Sequence, residues 1–178
     1  MKPIRIFEWA SAWVVALSMF VYGFAKPIQF SDPSTITTPV NELTGMQLMW
    51  AFYGYSAPFH YLLGVLEVTG GVLLLIPRTR VLGALLLTAM LSNIIAQDIF
   101  YGVLEGALRA AIVYQVLTLG ILWIHRETLV DGFRRFVLPR EEAPTRSWTQ
   151  RLLLAAAVIA AAIALKALEI LFTHHFYA

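Results

Sequence analysis

The sequence predicts an all-α fold, a polytopic bundle of transmembrane helices. Two observations carry that expectation: an unusually apolar composition, and five apolar stretches each long enough to cross a bilayer. Hydrophobic residues make up 59% of the 178-residue chain and charged residues 13%, against roughly 45–50% and about 25% in soluble domains. The mean hydropathy of +0.71 agrees. A soluble domain of this size has too little interior to hide so much apolar surface, so the bilayer is the expected partner and solvent. The chain has no cysteine, which excludes a disulfide, a thiol nucleophile and Cys-held metal centres.

About 20 apolar residues cross the hydrocarbon core. The expected spans are about 7–25, 57–76, 81–100, 106–124 and 151–172. Ser56 and Pro58 suit the start of the second span and Pro77 its end, while Ser147 and Gln150 form a capping box before the fifth. The first stretch also has features of a signal peptide, with Lys2 and Arg5 ahead of the apolar run and small residues Gly23 and Ala25 behind it. Glu8 and the length of the run favour a retained span. The layout divides into a four-helix core over 1–125, a basic connection over 126–150, and a fifth helix with its tail over 151–178.

Orientation follows from basic residues. Ten of the thirteen Lys and Arg residues fall on the N-terminus, the turn between the second and third spans, and the connection between the fourth and fifth, counting Arg151. These segments alternate as strict threading requires, so the N-terminus is expected inside and the C-terminus outside. No nucleic-acid partner is expected.

The outer connection, 26–56, turns aromatic from Met49 to Tyr55. It reads as a short helix in the headgroup layer, or as a lid over an outward-facing pocket. In the inner connection Leu129, Phe133, Phe136 and Val137 alternate with Asp131, Arg134 and Arg135. This reads as a basic topogenic loop, docking on anionic lipid at most.

Polar side chains at membrane depth are the candidate functional residues, since no phosphate loop, HExxH or dinucleotide fingerprint is present. Glu67 lies mid-span, and Gly64, Gly70 and Gly71 share its helix face. It therefore faces the bundle interior across a close helix contact, either as a proton-exchanging or ligand-binding carboxylate or as a lock on packing. Asn93 and Gln97 share a face of the third span with Met90, and Asp98 ends it. The amides either glue helices together or hold a ligand. Arg109 can pair locally with Glu105, four residues before it, or reach inward to Glu67 or Asp98. Lys166 and Glu169 read as a self-paired anchor, with Lys166 a further possible partner of Glu67. Under this topology the polar residues share the outer half of the membrane. Of the histidines, only His60 with His174 or His175 could meet at one depth as haem ligands, and haem is not expected. No cofactor is evident.

Tyr22-Gly23-Phe24-Ala25-Lys26-Pro27, Gly64-x-x-Glu67-x-x-Gly70-Gly71 and the Leu73–Arg80 exit with Pro77 together resemble the DoxX family of small bacterial membrane proteins over about residues 7–125. The resemblance implies a four-helix core in the bacterial inner membrane, with Lys26 and Glu67 as polar signature positions. The family takes its name from a subunit associated with thiosulfate:quinone oxidoreductase. The fifth span goes beyond the four-helix bundle typical of it.

Three functions are consistent with these residues. The first is a membrane subunit of a quinone-linked redox system. Glu67 would exchange a proton with the quinone, Arg109 or Asn93 would hold its head, and a redox partner protein would supply electrons. The second is a non-catalytic protein that recognises a lipid or a membrane partner. The third is a small transporter working through a protonatable Glu67, for which five spans without an inverted repeat are few.

Overall fold

A computed structural model describes residues 3–30, 32–137 and 147–174. Lys2, Ser31, Arg140, Arg146 and His175 lie outside the described residues. All regular structure among the described residues is helical: α1 (Pro3–Gln29), α2 (Gly45–Gly54), α3 (Ala57–Leu75), α4 (Arg80–Phe100), α5 (Glu105–Ile124), α6 (Arg126–Val137) and α7 (Trp148–His174), with 3-10 turns at Pro33–Thr35 and Val40–Glu42. Five of these helices are long and apolar enough to cross a membrane: α1, α3, α4, α5 and the Trp148–Ile170 part of α7. The expected fold class and all five spans are present.

The chain divides into two compact units, Met1–Gly132 and Phe133–Ala178. In the first, α1 packs on α3, α3 on α4, α4 on α5, and α5 back on α1. The four helices close a ring around one core. The buried positions on α1 (Ala12, Val15, Ala16, Met19, Gly23, Lys26) recur every three or four residues, which draws a single stripe along the helix. Leu74 from α3, Leu87 and Leu91 from α4, and Ala111 and Ile121 from α5 complete the core. Outward-facing Val21, Phe24, Val65, Leu82 and Val116 remain well exposed. In water so much apolar surface would drive aggregation, and in lipid it costs nothing.

The tightest contact joins α1 to α3 at Gly23 and Gly64. A Cβ on Gly64 would stand 2.5 Å from the Gly23 carbonyl oxygen, and one on Gly23 2.8 Å from that of Gly64. Backbones approach so closely only where neither residue has a side chain. The predicted small-residue face of α3 is thus a helix-packing surface, and Glu67 sits on it, 2% exposed.

The aromatic stretch 49–55 folds as part of α2, started by a capping box in which the Gln47 side chain accepts from the Thr44 N–H and the Thr44 hydroxyl from the Gln47 N–H. The inner connection is not simply a loop: Arg126–Val137 forms α6, whose periodic apolar residues define one helical face. In the second unit Ser147 and Gln150 cap α7 as the sequence predicts.

Candidate functional site

At one end of the four-helix ring, α1, α3, α4 and α5 diverge around a cavity of about 250 Å³. Its walls are chiefly apolar and aromatic, with Met19 and Tyr22 from α1, Leu63 and Leu66 from α3, Met90 and Ile94 from α4, and Ala111 and Tyr114 from α5. Lys26, Glu67 and Asp98 are the charged residues among those that line it.

Lys26 and Glu67 form an ion pair across the α1–α3 contact, Nζ to Oε1 at 3.1 Å, with side chains 10% and 2% exposed. The Gly23–Gly64 approach makes the pair possible, because it brings the last turn of α1 against mid-α3. The Lys26 ammonium also donates to Gln29 Oε1 at 3.2 Å and lies 5.6 Å from the centre of the Phe30 ring. Lys26 thus makes its ion-pair contact with Glu67, and its charge also reaches Asp98 from further away. The second oxygen of Glu67, one oxygen of Asp98 and the Trp50 indole N–H are buried without a protein partner. Buried polar atoms of this kind cost about 1–3 kcal/mol each when unsatisfied; all three belong to residues that line the cavity but lie behind its surface, so a side-chain rotation is needed to bring any of them to a bound molecule.

α2 roofs the cavity with Met49, Trp50 and Tyr53. The segment is the short helix expected, and it also covers the cavity as a lid would. Tyr53 is the fastening: its ring stacks on Phe30 and Phe59 at 5.0 and 5.8 Å, its hydroxyl accepts from the Gln97 amide, and its carbonyl lies 3.2 Å from His60 Nδ1. A carbonyl can only accept, so His60 carries a proton on Nδ1.

Lys26, Glu67, Asn93, Gln97 and Asp98 all line the cavity. Gln97 does so while bridging α4 to α2. Arg109 is not among the lining residues: it donates to Glu105 Oε2 at 2.6 Å, on the surface, with both side chains more than three-quarters exposed. The one-turn spacing on α5 puts the nearer carboxylate within reach, and the partner of Glu67 is Lys26 rather than Arg109 or Lys166. Lys166 pairs with Glu169 at 2.8 Å in α7. His60 is buried against Tyr53, and the side chain of His174 lies outside the described residues along with His175.

Sequence reasoning missed a second polar cluster at the opposite end of the ring. Arg80, 2% exposed, donates to Glu8 Oε1 at 2.6 Å and to the Leu74 carbonyl at 2.9 Å, and its guanidinium lies 3.9 Å from the centre of the Trp9 ring. His125 Nε2 reaches the same Glu8 oxygen at 3.0 Å. Arg80 therefore satisfies a carbonyl at the end of α3, pairs with α1, and joins the end of α5 through Glu8. Its donors are directed at protein groups, so this is a clamp and not a second cavity. The available signal was Glu8 itself, a carboxylate at the start of an apolar run, which calls for a basic partner when buried.

A ring of four apolar helices around a roofed, charge-bearing cavity, together with a fifth helix long and apolar enough to span, defines a multi-pass membrane protein with a cavity among its helices. The chain belongs to the family of the methylamine utilisation protein MauE, whose family model matches residues 4–111. That match overturns the DoxX resemblance. The motifs behind the resemblance are the close-packing glycines and a basic turn, which serve helix contact and topology in any small bundle. The chain is also 32% identical over 126 residues to the uncharacterised protein YwoB of Bacillus subtilis (strain 168), covering 68% of this chain and 78% of YwoB. No solved structure matches the chain. The family match covers the cavity-forming helices up to Ala111 and ends before α6 and α7.

Proposed function

We propose that the chain is the membrane subunit of a quinone-linked redox system, with the roofed cavity as the site of the quinone head. The observation that carries the reading is the combination of aromatic walls with the charged side chains Lys26, Glu67 and Asp98 among the lining residues. A volume of about 250 Å³ lies below the usual range for ligand sites, about 300–1,000 Å³, and suits one ring rather than a drug-sized molecule. A quinone ring stacks on aromatic side chains, and its two carbonyl oxygens accept from donors such as the Trp50 indole and the Lys26 ammonium. Its isoprenoid tail is at home among lipid chains.

Reduction of a quinone to the quinol takes up two electrons and two protons. A buried carboxyl group on the cavity wall supplies a proton-exchanging site beside the ring, and Glu67 and Asp98 are the two candidates for it. Electrons come from a redox partner protein. The family's description supports a redox setting, since drawing on the C–N bond of methylamine calls for oxidation.

The test is binding of a short-chain quinone to the purified full chain in detergent. Wild type should bind it and should carry quinone when extracted from membranes. Ala111→Phe, which fills the cavity from α5, should lower the affinity at least tenfold at a cost of about 1–3 kcal/mol in stability from its place in the core, with the denaturation midpoint showing that the protein is still folded. Equal binding by both proteins would place any quinone elsewhere. Retention of a phospholipid, with no quinone bound, would favour the lipid-recognition reading.

We further propose that the cavity end of the ring faces the outside of the bacterial inner membrane, with the N-terminus in the cytoplasm. The distribution of basic residues supports this. A reporter active only outside should work when fused after Ala178 and stay silent after Arg140. The opposite pattern would invert the site.

A further inference from the structure

The cavity holds two carboxyl groups and one cation, and the geometry tells them apart. We infer that Asp98, and not Glu67, holds the exchangeable proton of the site, while Glu67 is the fixed counter-ion of Lys26. Lys26 lies 3.1 Å from Glu67 Oε1, whereas no ion pair of Asp98 with a cation occurs among the described residues. The titratable or charged groups on the cavity walls facing Asp98 are Tyr22 and Lys26 on α1, Tyr53 on α2, Glu67 on α3 and Tyr114 on α5. Four of these five carry no positive charge, and the fifth, Lys26, is in ion-pair contact with Glu67 while its charge reaches Asp98 only from beyond that distance. Arg109, the other basic residue at this end of α5, is held by Glu105 on the surface.

Two further features separate the carboxyl groups. Asp98 lies in the last turn of α4, which ends at Phe100, where the backbone carbonyls of the helix present negative potential that disfavours a second negative charge. Glu67 is mid-helix and free of that penalty. Asp98 is also nearer the helix end, three positions before the Tyr101–Leu104 connection, two of whose residues, Val103 and Leu104, line the cavity. Both carboxyl groups are buried, and Asp98 is the one nearer the end of its helix and the connection beyond it, with Glu67 beside the Gly23–Gly64 contact.

The inference rests on the quinone reading for the use of the proton. In the step it implies, the Asp98 carboxyl O–H bond breaks and a new O–H bond forms on a quinone oxygen. The redox partner protein provides the electrons, and water reprotonates Asp98 before a second transfer completes the quinol. The protonation state itself can be measured without any quinone, so its failure and the failure of the quinone reading are separate results.

The measurement is infrared spectroscopy of the purified full chain at neutral pH, following the carbonyl stretch of a protonated carboxylic acid. Substitutions that keep the charge count identify the owner of the band. Asp98→Glu should move it and Glu67→Asp should leave it in place. Lys26→Met removes the cation, so both carboxyl groups should then be protonated and the band should grow about twofold. A band that moves with Glu67→Asp and ignores Asp98→Glu would overturn the inference, as would absence of a carboxylic-acid band from the wild type. Should Asp98→Glu fail to fold, an unmoved band in Glu67→Asp together with its growth in Lys26→Met still supports the assignment, and a moved band or no growth overturns it.

Discussion

Arg80→Ala should be among the most damaging single substitutions in the four-helix core, at a cost of about 3–5 kcal/mol. Arg80 is 2% exposed and holds Glu8 at 2.6 Å, so its loss leaves a largely buried carboxylate with only His125 beside it. The Leu74 carbonyl loses its donor and Trp9 loses the guanidinium lying over its ring. Because the pair costs desolvation as well as gaining attraction, removing both charges should hurt less than removing one. Glu8→Gln with Arg80→Met is therefore expected to recover part of the loss. The midpoint of denaturation in detergent reads both effects. A single variant as stable as wild type would show that the clamp is dispensable.

Gly64→Val is expected to destabilise the core by at least about 1–3 kcal/mol and to weaken quinone binding with it. A Cβ there would stand 2.5 Å from the Gly23 carbonyl oxygen and 3.3 Å from Lys26 Cγ. Backbone cannot yield as a flexible side chain can, so α1 must move off α3. The Lys26–Glu67 pair spans that same contact and would open as the helices part. Gly106→Ala provides the control: nothing lies within 4 Å of its added Cβ, and reducing unfolded-chain freedom should leave stability unchanged or raise it by about 0.4–1 kcal/mol. Equal outcomes for the two glycines would contradict the close-packing account.

The fold was legible because lipid imposes its own length and hydropathy on every span. The helix starting at Ala57, the turn at Arg78 and the box at Ser147 could be read from local chemistry alone. Ends proved harder where charge was involved. The first span was expected to stop at Ala25, but α1 continues to Gln29 because Lys26 has a buried partner to repay its desolvation. Glu67 could be seen as inward-facing from its glycines. Its partner could not, since pairing across 41 positions depends on which faces meet. Arg80 and His125 lie 72 and 117 positions from Glu8, and in sequence they resemble ordinary topogenic and interfacial residues. Arg109 shows the converse: a local partner one turn away outcompeted the distant ones. The family assignment erred for the same reason, since short glycine motifs report helix contact and not ancestry.

Photoaffinity labelling with a short-chain azidoquinone tests the central claim most directly. Label should enter Trp50–Tyr53 on the roof and Met90–Asp98 on α4, and Ala111→Phe should abolish it. Label confined to the lipid-facing residues or to α7, unchanged by Ala111→Phe, would contradict the cavity as the site of the quinone.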